Sequence, residues 1–171
     1  MGNQGSKEGA KKITFGLSPY LGFYTIHMKA QKTKDKSAVK ALWNKVNKSA
    51  DVVGCDTLGR LFTCYPQTKT YFSHWSDLTP GSGPIKEHGK IILSGVCLAV
   101  ENIDDITKGL LDLSEKHAFQ LRVDPSNFKF MAHCLMVVIA TLFPKDFTPE
   151  VHASFDKFMD CVAQALSEKF R

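Results

Sequence analysis

From residue 33 to the C-terminus, apolar side chains return every three to four positions, and proline or glycine breaks the pattern between runs. That spacing puts them on one face of an α-helix; inward-facing residues of a strand would return every second position. Val39, Leu42, Trp43, Val46 and Val53 make one stripe, with Gly54 near its interruption. Leu58, Leu61, Phe62 and Tyr65 make the next, which stops at Pro66. Ser82 and Pro84 open a helix with Ile85, His88, Ile92, Val96, Ala99 and Ile103 on one face. A short helix is expected from about Gly109 to Ala118. Asp124-Pro125 and Thr148-Pro149 each join a capping side chain to a proline in the first turn, where its missing N–H is no loss. Phe128, Met131, Leu135, Val138 and Leu142 follow the first signal; Val151, Phe155, Phe158, Val162 and Leu166 follow the second. The expectation is an all-α domain over residues 33–171, with six or more helices, no internal repeat, and Thr79–Pro84 as its one long irregular stretch.

A chain of 171 residues with 43% hydrophobic and 23% charged residues can bury a core as one domain. The longest apolar run, Ala132–Phe143, is about 12 residues, short of the ~20 that span a membrane. The net charge of +5 is not spread evenly: residues 1–36 hold seven lysines against Glu8 and Asp35, and residues 37–171 hold 15 basic and 15 acidic side chains. The body is electroneutral, so nucleic acid is not an expected partner. Cys55, Cys64, Cys97, Cys134 and Cys161 are odd in number and form no C-x-x-C pair, which reads as reduced thiols and not as a disulfide framework. Residues 1–32 are expected to be an extension; its stretch Ile13–Ile26 has no helical period and reads as a marginal strand or a disordered tail. No secretory signal is evident in it.

Two histidines lie on apolar stripes: His88 among Ile85, Ile92 and Val96, and His117 among Leu110, Leu113 and Leu121. A chain that reverses between these helices brings both imidazoles to one cavity. No carboxylate lies one turn from either and no cysteine joins them, which disfavours a tetrahedral zinc site. The neighbours Phe72, Ile92, Leu113, Phe128 and Met131 suit a large, flat, apolar cofactor with a metal at its centre.

The segments KTYFSHW (69–75), IKEHGK (85–90), LSEKHAFQLRVDPSNFK (113–129) and FPKDFTPEVHASFDKF (143–158) resemble vertebrate haemoglobin α chains, fish-type in detail, within the globin family. The resemblance runs without a gap from about Thr33 to Arg171, and the α over the β reading rests on the short Trp75–Ile85 connection, LRVDP and the final arginine. It implies a globin fold of about seven helices around haem b, iron protoporphyrin IX, with reversible O2 binding and transport. His117 would be the proximal iron ligand, oriented by Ser114 or the Leu113 carbonyl, and His88 the distal residue that binds O2. Tyr71, Phe72, His74, Ile92, Val96, Leu113, Leu121, Val123, Asn127, Phe128, Met131 and Leu166 would contact the cofactor, with His74 reaching a propionate. Gln67, Thr70, Tyr71, Asp124 and Pro125 would form the contact that slides between quaternary states. Arg60, Cys64, His133, Phe147, His152 and Asp156 would form the firmer contact with a β-type chain in an α2β2 heterotetramer of the red-cell cytoplasm.

The chain departs from that pattern in places. Residues 1–27 have no counterpart in such chains. They open with Met1-Gly2-Asn3-Gln4-Gly5-Ser6, which fits myristoylation at Gly2, and Lys7, Lys11 and Lys12 add a basic cluster. Met28 offers a start that removes this segment. A lipid-anchored globin with nitrite, NO or peroxide chemistry is therefore the alternative function, and a haem-free helical module the third. Ile91 stands where a lysine usually meets a propionate, leaving Lys90 or His74; Lys32 stands where the first helix usually has a capping serine, leaving Thr33. Phe170 replaces a tyrosine whose hydroxyl would anchor the C-terminus to the Val123 carbonyl, a loss of ~1 kcal/mol from the low-affinity state. Oxygen-binding curves of the assembled protein should accordingly give a lower Hill coefficient than those of a Phe170→Tyr variant; equal coefficients would refute this reading.

Overall fold

The computed structural model describes residues 33–170, and among them every regular element is helical. The expectations for residues 1–32, Gly2 included, lie outside the described residues. Helix α1 spans Thr33–Val46, with Asp35 in its first turn and Lys45 in its last, each suited to the helix dipole. Thr33 is its first residue, and the Thr33 carbonyl accepts a hydrogen bond from Ser37 Oγ at 2.9 Å. The buried face is Val39, Leu42, Trp43 and Val46.

The stripe that ran on to Val53 in the sequence is split here. A 3-10 turn at Asn47–Ser49 ends α1, and α2 spans Ala50–Cys64. Gly54 is thus inside α2 and interrupts nothing. Its role is steric: a Cβ added there would meet the Gly89 carbonyl oxygen at 2.3 Å, and one added at Gly89 would meet the Gly54 carbonyl carbon at 2.5 Å. Real Cβ contacts never come so close, so glycine at both positions lets two helices cross backbone to backbone.

Pro66 ends α2 and begins a 3-10 segment, Pro66–Phe72, in which the buried Thr68 donates Oγ1 to the Tyr65 carbonyl at 2.7 Å. Proline supplies the fixed φ and lacks the N–H that a continuing α-helix would need. The loop behind it turns on Asp77, whose Oδ1 accepts from Thr79 N and Oγ1 at 2.8 and 2.7 Å, and on Gly81 at φ +84°. Helix α3 spans Gly83–Glu101. Ser82 precedes it without capping; its hydroxyl donates to the Asp77 carbonyl instead, at 3.2 Å.

The short helix expected over residues 109–118 is three pieces: α4 (Ile106–Gly109), capped by Asp105 accepting from Lys108 N at 3.2 Å; α5 (Leu111–Glu115); and a wide π turn, Lys116–Leu121. Arg122 closes the turn in the left-handed region at φ 51°. Glycine usually takes that position, and a side chain there costs about 1–2 kcal/mol. Helix α6 spans Ser126–Leu142; the Asp124 carboxylate accepts from Ser126 N at 2.9 Å just before it. Helix α7 spans Pro149–Ser167, and Thr148 Oγ1 accepts from Val151 N at 3.4 Å. The Thr148-Pro149 signal is present as read; at the other, Pro125 is itself the cap residue and not the first helical one, and Asp124 acts from one position further out.

The core is two adjoining clusters. The larger joins α1, α3, α6 and α7 through side chains such as Trp43, Leu93, Leu135, Ile139, Phe155 and Phe158. The smaller gathers Leu58, Leu61, Phe62, Ile85 and Cys134, with Phe72, Trp75, Ile92 and Met131 packed on it half-buried. Because the α2–α3 crossing has no slack, Gly54→Ala should lower the urea midpoint by the equivalent of about 1–3 kcal/mol. Gly59→Ala, whose Cβ would rest 3.6 Å from Pro80, should be neutral or slightly stabilising. A Gly54→Ala midpoint equal to the parent's would mean the helices can move apart.

Candidate functional site

His88 sits on α3 one position before Gly89, so the tight crossing fixes where its ring emerges. The ring is held edge-on by Phe72 and Trp75, with centroids at 5.1 and 5.3 Å. Phe72 is braced in turn by Phe62, at 5.1 Å. His117 lies in the π turn behind α5. Its Nδ1 is 2.7 Å from the Leu113 carbonyl oxygen. A carbonyl only accepts, so Nδ1 carries the proton and Nε2 keeps a free lone pair. The ring packs against the edge of Phe128 at 5.2 Å. The carbonyl of His117 also accepts from Val123 N, at 3.0 Å, and so terminates the turn.

Both histidines are half-buried, and burial depresses the pKa of each. At His88 positive charge on His117 and on Lys116 adds to the effect; at His117 the Leu113 hydrogen bond opposes it. The two imidazoles are thus near enough to sense each other, and both are biased toward the neutral form that metal ligation requires. Among the described residues no group of three His, Cys, Asp or Glu side chains could hold a bare metal ion. The donor set is instead one imidazole nitrogen, a second imidazole nearby, and apolar half-buried walls. That set fits haem.

Of the expected wall residues, Ile92 and Met131 pack on the smaller cluster beside Phe72, and Leu113 and Leu166 on the larger. Val96 is buried on α3; Val123, Asn127 and Phe128 are half-buried. Leu121 is 49% exposed. His74 is exposed, with its ring 6.0 Å from Trp75. Lys90, the other propionate candidate, pairs with Glu87 at 3.2 Å and Asp51 at 3.8 Å; both pairs are exposed and weak, so Lys90 stays a candidate beside His74. Ser114 makes no direct hydrogen bond to His117: its hydroxyl goes to the end of α7, and the Leu113 carbonyl holds the imidazole.

The Tyr71 hydroxyl accepts from Asp124 N at 3.1 Å and from Asn127 Nδ2 at 3.3 Å. The 3-10 segment bearing Gln67 and Thr70 is thereby joined to the Asp124–Pro125 corner. Elsewhere Arg60, Cys64, His133, His152 and Asp156 are exposed, and Phe147 stacks on His152 at 5.1 Å. Arg60 and Cys64 share a cleft with Val138, Thr141 and Leu142. Leu142, expected on the apolar stripe of α6, is exposed instead, as is Val137, which was not singled out from the sequence. Trp75 was also missed: it lies outside any helical stripe, and only its place in the aromatic run Tyr71–Trp75 hints at a role.

Comparison with known proteins adds family to geometry. The Globin family model matches residues 55–166. The chain is similar to haemoglobin subunit alpha of Lycodes reticulatus, 67% identical over 138 residues, which is 81% of this chain and 97% of that one. It is 65% identical to haemoglobin subunit alpha-2 of Anarhichas minor and 64% to haemoglobin subunit alpha of Thunnus thynnus, over 81% of this chain and 96% of each of those. Given these matches and the paired histidines of an all-helical body, the chain belongs to the globin family.

Proposed function

We propose that this globin carries O2 reversibly on haem b, as the α-type subunit of an α2β2 tetramer with β-type chains in the red-cell cytoplasm. The observation that carries the reading is the His117 imidazole, with Nδ1 committed to the Leu113 carbonyl and Nε2 left to bind iron, near a second neutral imidazole. The likeness to alpha subunits of fish haemoglobins supports it. Haem, when bound, supplies a ferrous iron that takes up O2 and releases it unchanged.

The chain's own residues then have distinct tasks. Leu113 fixes the tautomer and heading of His117. His88, held by Phe72 and Trp75, offers an N–H to a polar diatomic ligand and nothing to a nonpolar one. Phe72, Ile92, Val96, Val123, Phe128, Met131 and Leu166 keep water from the reactive face, and Leu121 covers its edge. Water and protons drive oxidation of the iron, so a dry wall preserves the carrier. Tyr71 and Asn127 close the side near the Asp124 corner, and His74 meets a propionate. This is binding without turnover, and no residue is assigned a catalytic role.

The partner surfaces follow the exposed groups. Arg60, Cys64, His133, Phe147, His152 and Asp156, with the exposed apolar Val137 and Leu142, would meet one β-type chain. Gln67, Thr70, Asp124 and Pro125 would meet the other.

Three experiments test the reading. His117→Gly should lose its Soret band on gel filtration and keep it when haem and imidazole are supplied together. His88→Leu should keep haem but bind O2 about tenfold more weakly, the scale of one hydrogen bond to a polarised acceptor. In the isolated chain at pH 8, iodoacetamide should alkylate exposed Cys64 and spare buried Cys134, whose thiol burial pushes up to about 11. Adding a β-type chain should protect Cys64. Labelling of Cys64 that stays unchanged on mixing would place the partner elsewhere.

A further inference from the structure

Every α-helix ends with carbonyls that lack helical partners. At the end of α7 one of these, the Leu166 carbonyl, accepts a hydrogen bond from Ser114 Oγ at 3.1 Å. Past the helix, Lys169 N donates to the same Ser114 oxygen at 3.2 Å. Ser114 is fully buried and lies on α5, one residue after Leu113, whose carbonyl holds His117. A single hydroxyl therefore works as donor and acceptor toward one chain end, and its backbone neighbours the group that sets the imidazole. The Lys169 ammonium adds an ion pair to Glu115 at 3.6 Å, but both partners are well exposed, and such pairs contribute little. The Phe170 ring is 41% exposed and offers no hydrogen bond.

We propose that Ser114 is a positioning residue for His117: it couples the docking of the C-terminal residues 166–169 to the setting of the imidazole. The inference rests on the reading of His117 as the iron ligand. The path is short. A shift of the chain end moves Leu166 O and Lys169 N, the hydroxyl follows, α5 moves with it, and the Leu113 carbonyl carries Nδ1 of His117. Because Ser114 is sealed from solvent, water cannot take the place of either hydrogen bond, so the link is not loosened by exchange with bulk.

The test uses the full chain, haem-free and haem-loaded, with Ser114→Ala, the near-isosteric Ser114→Cys, and Glu115→Gln as the control for the ion pair. Two quantities are read: amide hydrogen exchange at Lys169, and the iron–histidine stretching band of the ferrous, unliganded protein. Loss of the hydroxyl should raise Lys169 exchange at least about tenfold, the factor for one ordinary hydrogen bond, and should move the band. Glu115→Gln should change exchange less than about twofold and leave the band in place. Unchanged exchange in both Ser114 variants overturns the proposal. So does faster exchange with an unmoved band, which would make Ser114 a local helix cap and nothing more. An iron–histidine band that survives in His117→Gly would show that the ligand assignment had failed; the coupling proposal falls with it, while the exchange result still reports whether Ser114 holds the chain end.

Discussion

The contact of Gly54 with Gly89 sets the spacing on which the rest of the molecule depends. Two helix backbones touch there, and neither position has room for a methyl group. Helix packing distances normally reflect the side chains between the axes, usually 8–10 Å. Removing those side chains draws α2 and α3 together and leaves α3 no freedom to rotate. The residue before Gly89 is His88, so a steric rule about the absence of side chains fixes the heading of an imidazole. Phe62 on α2 reaches past the crossing to Phe72, and Phe72 to His88, which fastens the imidazole from a second direction.

The other imidazole is placed by different means. His117 is outside any long helix, in a turn wound wider than α and closed by a residue in the left-handed region. Its ring donates to the Leu113 carbonyl and its own carbonyl accepts from Val123 N, so backbone on both sides of the turn holds it. One histidine is set by packing and the other by hydrogen bonding, and the cofactor would lie between a stiff wall and an adjustable one. A carrier whose state must answer to its partners needs that asymmetry.

Much of this was legible in the sequence. The 3.6-residue period gave the all-helical class, and the two Asx/Thr-Pro signals gave the starts of α6 and α7, because capping is local chemistry between near neighbours. Long helices with one apolar face were clear for the same reason. What was hidden depended on contacts distant in the chain. The stripe from Val39 to Val53 looked continuous because apolar spacing survives a 3-10 turn, and Gly54 looked like a breaker because its partner is at Gly89. The single short helix expected at 109–118 is broken because α4 and α5 are held by α7 and not by their own propensity. Ser114 looked like a partner for His117 on distance along the chain; its hydroxyl is claimed by residues 166 and 169, over fifty positions away. The exposed pairing of Lys90 with Asp51 on α2 is likewise a contact distant in the chain. Trp75, packed on the His88 ring, and the exposed apolar end of α6 carry no local signature that separates them from core.

The segment around His117 has a further meaning for how the molecule is made. Helices of four and five residues lie well below the ~12–15 that persist alone in water, so α4 and α5 exist only once α3, α6 and α7 are in place to receive them. The α2–α3 pair needs no such template, since each partner is 15 residues or longer and their seam is steric. The stretch that carries His117 thus draws its order from its neighbours and not from itself, which makes it the part of the domain expected to open at the lowest free energy.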